Sequence, residues 1–133
     1  MKASMLIIAG VAAITATSAS AHHSAAVLDE SKTVKVTGVV SEWHLINPHA
    51  RLVIAVTDAG GQKVLWTFEG GRAGGGGDSE NAKIRKDTFK PGDKVTVSTH
   101  AHRHGRPVGR LGQVDFADGR PSVCVLRPCD GMP

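Results

Sequence analysis

The stretch RLVIAVTDAGGQKVLWTFE, residues 51–69, decides the fold. From Arg51 to Thr57 the residues Leu52, Ile54 and Val56 fall on one face at a spacing of two. That is the period of a half-buried strand. Asp58-Ala59-Gly60-Gly61 follows, a turn of Asp and Gly types between two apolar runs. From Lys63 to Phe68 the alternation resumes, with Val64, Trp66 and Phe68 on one face. Two β-patterned runs across such a turn predict an antiparallel hairpin, and the rest of the chain is read outward from it.

Upstream, Asp29-Glu30-Ser31 marks a turn, and a β-branched run begins at Thr33 with Val34, Val36, Val39 and Val40. Gly38 interrupts that run, the position of a bulge or a tight bend. The run continues through Trp43 and His44 to Asn47-Pro48, a strand break. Downstream, Gly70 to Gly77 is Gly-rich and reads as a flexible loop. No Gly-Lys-Ser/Thr follows it, so it is not a phosphate loop. Asp78 to Phe89 predicts a short helix, capped by Asp78 or Ser79, with Ala82, Ile84 and Phe89 as its apolar contacts. Lys94 to Thr99 predicts a fourth strand, residues 100–106 a basic, His-rich loop, and Val108 to Phe116 a fifth strand.

Five strands with one helix between the third and fourth follow the element order of an OB-fold, so the expectation is an all-β, OB-like five-stranded Greek-key barrel. The competing architecture is an open, sandwich-like sheet. The expected organisation is a signal segment over residues 1–21, a β-barrel domain over 22–120 and a C-terminal tail over 121–133.

The chain has 133 residues, 41% hydrophobic and 21% charged, which is an ordinary globular mix and leaves no room for a two-domain enzyme. Lys2, an apolar run from Met5 to Ile14, and small residues ending Ser18-Ala19-Ser20-Ala21 are the parts of a secretory signal peptide. The apolar run is about half of the ~20 residues a membrane span needs. The mature protein is therefore expected to be periplasmic or secreted, with no membrane span after cleavage. A formal charge of +4 without like-charge blocks, and an aromatic content of 4%, give no footprint of a nucleic-acid partner. Cys124 and Cys129 are the only cysteines, and in an exported chain they suit a disulfide closing a small loop near the C-terminus. Two free thiols are the alternative.

The chain resembles a family of small exported bacterial proteins of unknown function. The residues that carry the resemblance are Ala21-His22-His23-Ser24, Thr33-Val34 leading to Gly38, and Asn47-Pro48-His49. Further along they are Trp66-x-x-Glu69-Gly70-Gly71, Lys90-Pro91-Gly92-Asp93-Lys94-Val95 and Asp118-Gly119. Together they span roughly residues 21 to 120. The resemblance implies export and a shared fold, and no activity. Family members tend to carry a Leu and an aromatic after the Gly-Gly pair. Here Ala73 to Gly77 and Asp78-Ser79-Glu80 stand there instead, which implies a less firmly docked helix.

All seven histidines follow the signal segment: His22, His23, His44, His49, His100, His102 and His104. Neutral imidazole is the commonest metal ligand. His100, His102 and His104 share one side of a strand if the strand persists. Cleavage after Ala21 would leave His22 with a free α-amine beside its own ring, a chelating pair for copper. A third imidazole would complete a three-nitrogen site. Cleavage after Ala19 would place His22 third from the amine, where amine, two amides and ring can hold copper or nickel in a plane. The expected function is thus an exported binding module for copper or zinc, with His22, His23, His49, His100 and His102 as candidate ligands. The alternative is a metal-independent interaction domain for an envelope protein, peptide or glycan, with Trp43, His44 and Asn47 on its ligand face. Against both stands the reading of these histidines as solvated loop residues and of Trp43 and Trp66 as packing. Catalysis finds no support: no serine has a nucleophile-elbow context, and the cysteines lack redox-motif spacing.

Overall fold

A computed structural model of the protein describes residues 27–71, 84–126 and 129. Seven strands form in chain order: β1 (Leu28–His44), β2 (Arg51–Thr57), β3 (Lys63–Glu69), β4 (Lys94–His102), β5 (Val108–Arg110), β6 (Gln113–Phe116) and β7 (Val123–Cys124). They make one mixed sheet in the order β5-β3-β2-β1-β4-β6-β7. Every pairing is antiparallel except β3 with β5, which is parallel.

The hairpin of residues 51–69 forms in register, from Arg51 opposite Glu69 to Thr57 opposite Lys63. Its turn is held by Asp58, whose carboxylate accepts the N–H groups of Gly60 and Gln62, each at 2.9 Å. The alternation then decides burial: Leu52, Ile54 and Phe68 are fully buried. Trp66 stacks on Phe68 with ring centroids 5.9 Å apart.

β1 is 17 residues long and serves two partners. Its first part pairs with β4 and its last part with β2, and Val39 is shared, opposite both Ala55 and Lys94. The register with β2 slips between Val40 and Glu42, so Ser41 is the extra residue of a bulge. Gly38 serves instead as a point of close approach to β2. The turn signal Asp29-Glu30-Ser31 lies within β1 as a second irregularity, with Asp29 accepting from both the backbone N–H and the hydroxyl of Ser31.

The sheet is all-β as expected, but it is not the five-stranded closed barrel. The expected fifth strand is divided at Leu111-Gly112: its first part, β5, lies parallel on β3, and its second, β6, lies antiparallel on β4. One continuous run of chain therefore serves both halves of the sheet, yet the hydrogen-bonded order stays open, with β5 at one edge and β7 at the other. A methyl group at Gly109 would collide with Thr99 of β4, so β5 packs directly against that strand. The expected helix over 78–89 is not confirmed. Residues 78–83 lie outside the described residues, and 84–89 form turns. There the Thr88 hydroxyl accepts the Arg85 N–H, and the Thr88 N–H donates to the Arg85 carbonyl. A side chain that satisfies the backbone locally competes with helix continuation. Ile84 and Phe89 are nonetheless buried.

The core gathers Val36, Val40, Leu52, Ile54, Phe68, Val95, Val97, Val114 and Phe116 with Ile84 and Phe89. The segment after residue 120 joins it: β7 pairs with β6, Val125 is buried, and Val125 and Leu126 donate to the carbonyls of Gly112 and Leu111. Among the described residues no helix is long and apolar enough to cross a membrane.

Candidate functional site

β4 runs further than the sequence pattern predicts, reaching His102, so His100 and His102 are strand residues and the loop starts at Arg103. The extension has a partner: Leu28 of β1 lies opposite His102, and the Arg103 N–H donates to the Val27 carbonyl at 2.9 Å. The turn that follows is closed by the Gly105 N–H on the His102 carbonyl at 2.9 Å. Inside it the His104 N–H donates to Nδ1 of His102 at 3.1 Å. The two rings lie 5.8 Å apart, centroid to centroid, and tilted by 57°. Desolvation, then the neighbouring His104 and Arg106, holds His102 below the ordinary histidine range. His104 thus leaves the strand face that was expected to carry three rings.

His100 is half-buried, and its Nδ1 is buried with no hydrogen-bond partner among the described residues. His22 and His23 lie outside the described residues. His49 is exposed in the segment between β1 and β2. Among the described residues no three His, Cys, Asp or Glu side chains gather in an arrangement that could hold a metal ion. The pair brought together is His102 and His104.

The expected ligand face divides in two. Trp43 turns inward: its indole N–H donates to the Arg85 carbonyl at 2.9 Å, and its ring meets Phe89 edge-on at 4.8 Å. His44, Ile46 and Asn47 face solvent wholly or in part, and the Asn47-Pro48 bond is cis. His44 Nε2 lies 2.8 Å from Glu42 Oε2, and an Arg51 guanidinium nitrogen lies 3.9 Å from the same oxygen. Arg51 is opposite both His44 and Glu69, and Glu69 is opposite Arg110. Arg110 in turn reaches Glu30 at 3.7 Å. An alternating row of charge therefore crosses β1, β2, β3 and β5. No short-range sequence pattern pairs Glu42 or Glu69 with these cations, because the partners of both are set by strand register. Exposed pairs of this kind contribute about 0–1 kcal/mol each, so the row adds little to stability.

Cys124 and Cys129 are joined by a disulfide with Cα atoms 5.9 Å apart. Among the described residues no cysteine is free.

The fold and site define a small all-β protein with a histidine turn at one end of β4 and a charged row across β1, β2, β3 and β5. The chain belongs to a family of unknown function (DUF6152), whose model matches residues 10–111. The match takes in His22, His23 and the histidine turn, and it ends before β6 and the two cysteines. No curated protein and no solved structure matches the chain.

Proposed function

We propose that the protein, exported after loss of residues 1–21, is a metal-binding module of OB type that takes copper first and zinc second. His22 is the organising ligand, and His23, His49, His100 and His102 are the pool from which its partners come. The observation that carries the reading is the seam between Val27-Leu28 and His102-Arg103. His22 stands five residues before Val27, a reach of about 17 Å at ~3.3 Å per extended residue. An amine and ring at position 22 therefore need not cross the molecule to meet the histidine turn. Nitrogen donors in a planar or T-shaped set favour copper(II), and a tetrahedral set with water would suit zinc. The OB-type description is supported by the single run of residues 108–116 that contacts β3 with its first part and β4 with its second.

Calorimetric titration of the exported protein with copper and with zinc tests this, with the N-terminus verified by mass spectrometry and a His22→Ala variant alongside. The expected result is one equivalent bound tightly by the wild type and lost from the variant. Weak, multiple or variant-insensitive binding overturns the reading. A metal-independent interaction domain would then be favoured, resting on the charged row, the half-buried His44 and the exposed Ile46 and Asn47.

A further inference from the structure

The geometry points to His104, and not His102, as the ring that this turn contributes to a metal, with His102 as the residue that positions it. The inference rests on the metal-binding reading above and changes its ligand set, putting His104, which that set lacks, in the place of His102.

An imidazole ligates through a nitrogen that carries no proton, and the other nitrogen then keeps its N–H. At His102, Nδ1 already accepts the His104 backbone N–H at 3.1 Å. The neutral ring is therefore protonated at Nε2. A metal at Nε2 would drive that proton to Nδ1, where it would confront a second N–H pointed at the same place. A metal at Nδ1 would have to displace the backbone N–H outright. Either way, ligation by His102 breaks the contact that shapes the turn. At His100 the buried Nδ1 leaves only Nε2 as a donor to a metal.

His104 has none of these constraints. It is exposed, and neither of its ring nitrogens has a hydrogen-bond partner among the described residues. The turn that carries it is held at three points: by the His104 N–H on His102 Nδ1, by the Gly105 N–H on the His102 carbonyl, and by the Arg103 N–H on the Val27 carbonyl. The last of these ties the turn to the segment that leads directly to His22. The ring at 104 is thus free at both nitrogens while the turn that carries it is fixed beside Val27. The His102 contact acts as an outer-shell hydrogen bond, and such contacts orient a ligand without touching the metal.

The test is copper(II) titration of the exported protein with electron paramagnetic resonance read for imidazole nitrogen couplings. Four proteins are compared: wild type, His104→Ala, His102→Ala and His102→Asn. The Asn carboxamide oxygen can accept the His104 N–H where Nδ1 does, and it offers no imidazole. His104→Ala is expected to lose one imidazole coupling and at least about tenfold in affinity, and His102→Ala about tenfold with the couplings retained, as for an outer-shell contact. His102→Asn is expected to keep both the couplings and the wild-type affinity. Loss of a coupling in His102→Asn, or an unchanged spectrum in His104→Ala, overturns this assignment while the wild type still binds. Absence of one-to-one binding by the wild type overturns the metal reading itself, so the two failures are distinct.

Discussion

Gly38 of β1 lies against the backbone of Ala55 in β2: a Cβ at position 38 would stand 2.6 Å from the Ala55 carbonyl oxygen and 3.1 Å from a methyl of Val56. This contact sits next to Val39, where β1 passes from pairing with β4 to pairing with β2. The two strands can approach there because one of them has no side chain. The obstructing atom is backbone, so it cannot rotate away. Gly38→Ala is expected to destabilise by about 1–3 kcal/mol, the range for overpacking a filled interior. Urea unfolding should show a lower midpoint with an unchanged slope, since the surface exposed on unfolding is nearly the same.

Phe68 of β3 is opposite Leu52, stacks on Trp66 and pairs in register with Gly109. It is fully buried. Phe68→Ala is expected to cost about 3–5 kcal/mol, a large part of the 5–15 kcal/mol that a domain has in total. Phe68→Leu should cost less, because it keeps most of the volume. Thermal melts of the two variants check the ranking, and equal losses would mean that the site collapses around the smaller side chain.

The hairpin of residues 51–69 was legible because local signals agree there: period-two burial, an Asp-Gly turn and β-branched residues all point to one structure. Legibility failed where a distant partner decides. β4 runs on to His102 because Leu28, seventy-odd positions earlier, completes its ladder, and nothing near His102 announces that. The strand over 108–116 reads as one segment, but it has two partners and is divided at Leu111-Gly112. The helix expected before Phe89 rested on a cap and three apolar residues, and over the described residues Thr88 instead closes a turn with Arg85. The site shows the same division. Composition alone flags the histidines of residues 100–104. Which ring nitrogens are already engaged depends on a backbone N–H, and periodicity is silent on that. Arg51, Glu69 and Arg110 were passed over for the same reason, since strand register is what aligns them.

The disulfide between Cys124 and Cys129 closes a short loop, and in the chain-entropy model a loop of that size contributes about 2 kcal/mol. Its effect should be concentrated where the last segment meets the core. β7 has only two residues, and Val125 and Leu126 are held by one backbone hydrogen bond each, to Gly112 and Leu111. Replacing both cysteines with serine is expected to speed amide exchange at Val125 and Leu126 well before it affects Ile54 or Phe68. Equal acceleration at all four positions would mean that this segment unfolds only with the whole domain.

Acid should act on the same strand pair. Asp115 of β6 accepts hydrogen bonds from the Ser122 hydroxyl at 2.5 Å and the Gln113 carboxamide at 2.7 Å. These bonds, Ser122 first, hold its carboxyl below the ordinary aspartate range, with Lys35 adding a smaller pull in the same direction. The folded-state value is the lower one. The contribution of Asp115 to stability is therefore fully present above the unfolded value of about 3.9, and it fades as the pH falls through the folded one. Asp115→Asn removes the charge at every pH. The variant should be less stable than wild type at pH 7, and the gap should close as both are titrated below pH 4. Denaturant midpoints measured at half-unit steps from pH 2 to pH 7 give the comparison. A gap that stays constant across that range would assign the cost to lost hydrogen-bond geometry and not to the ionised carboxylate.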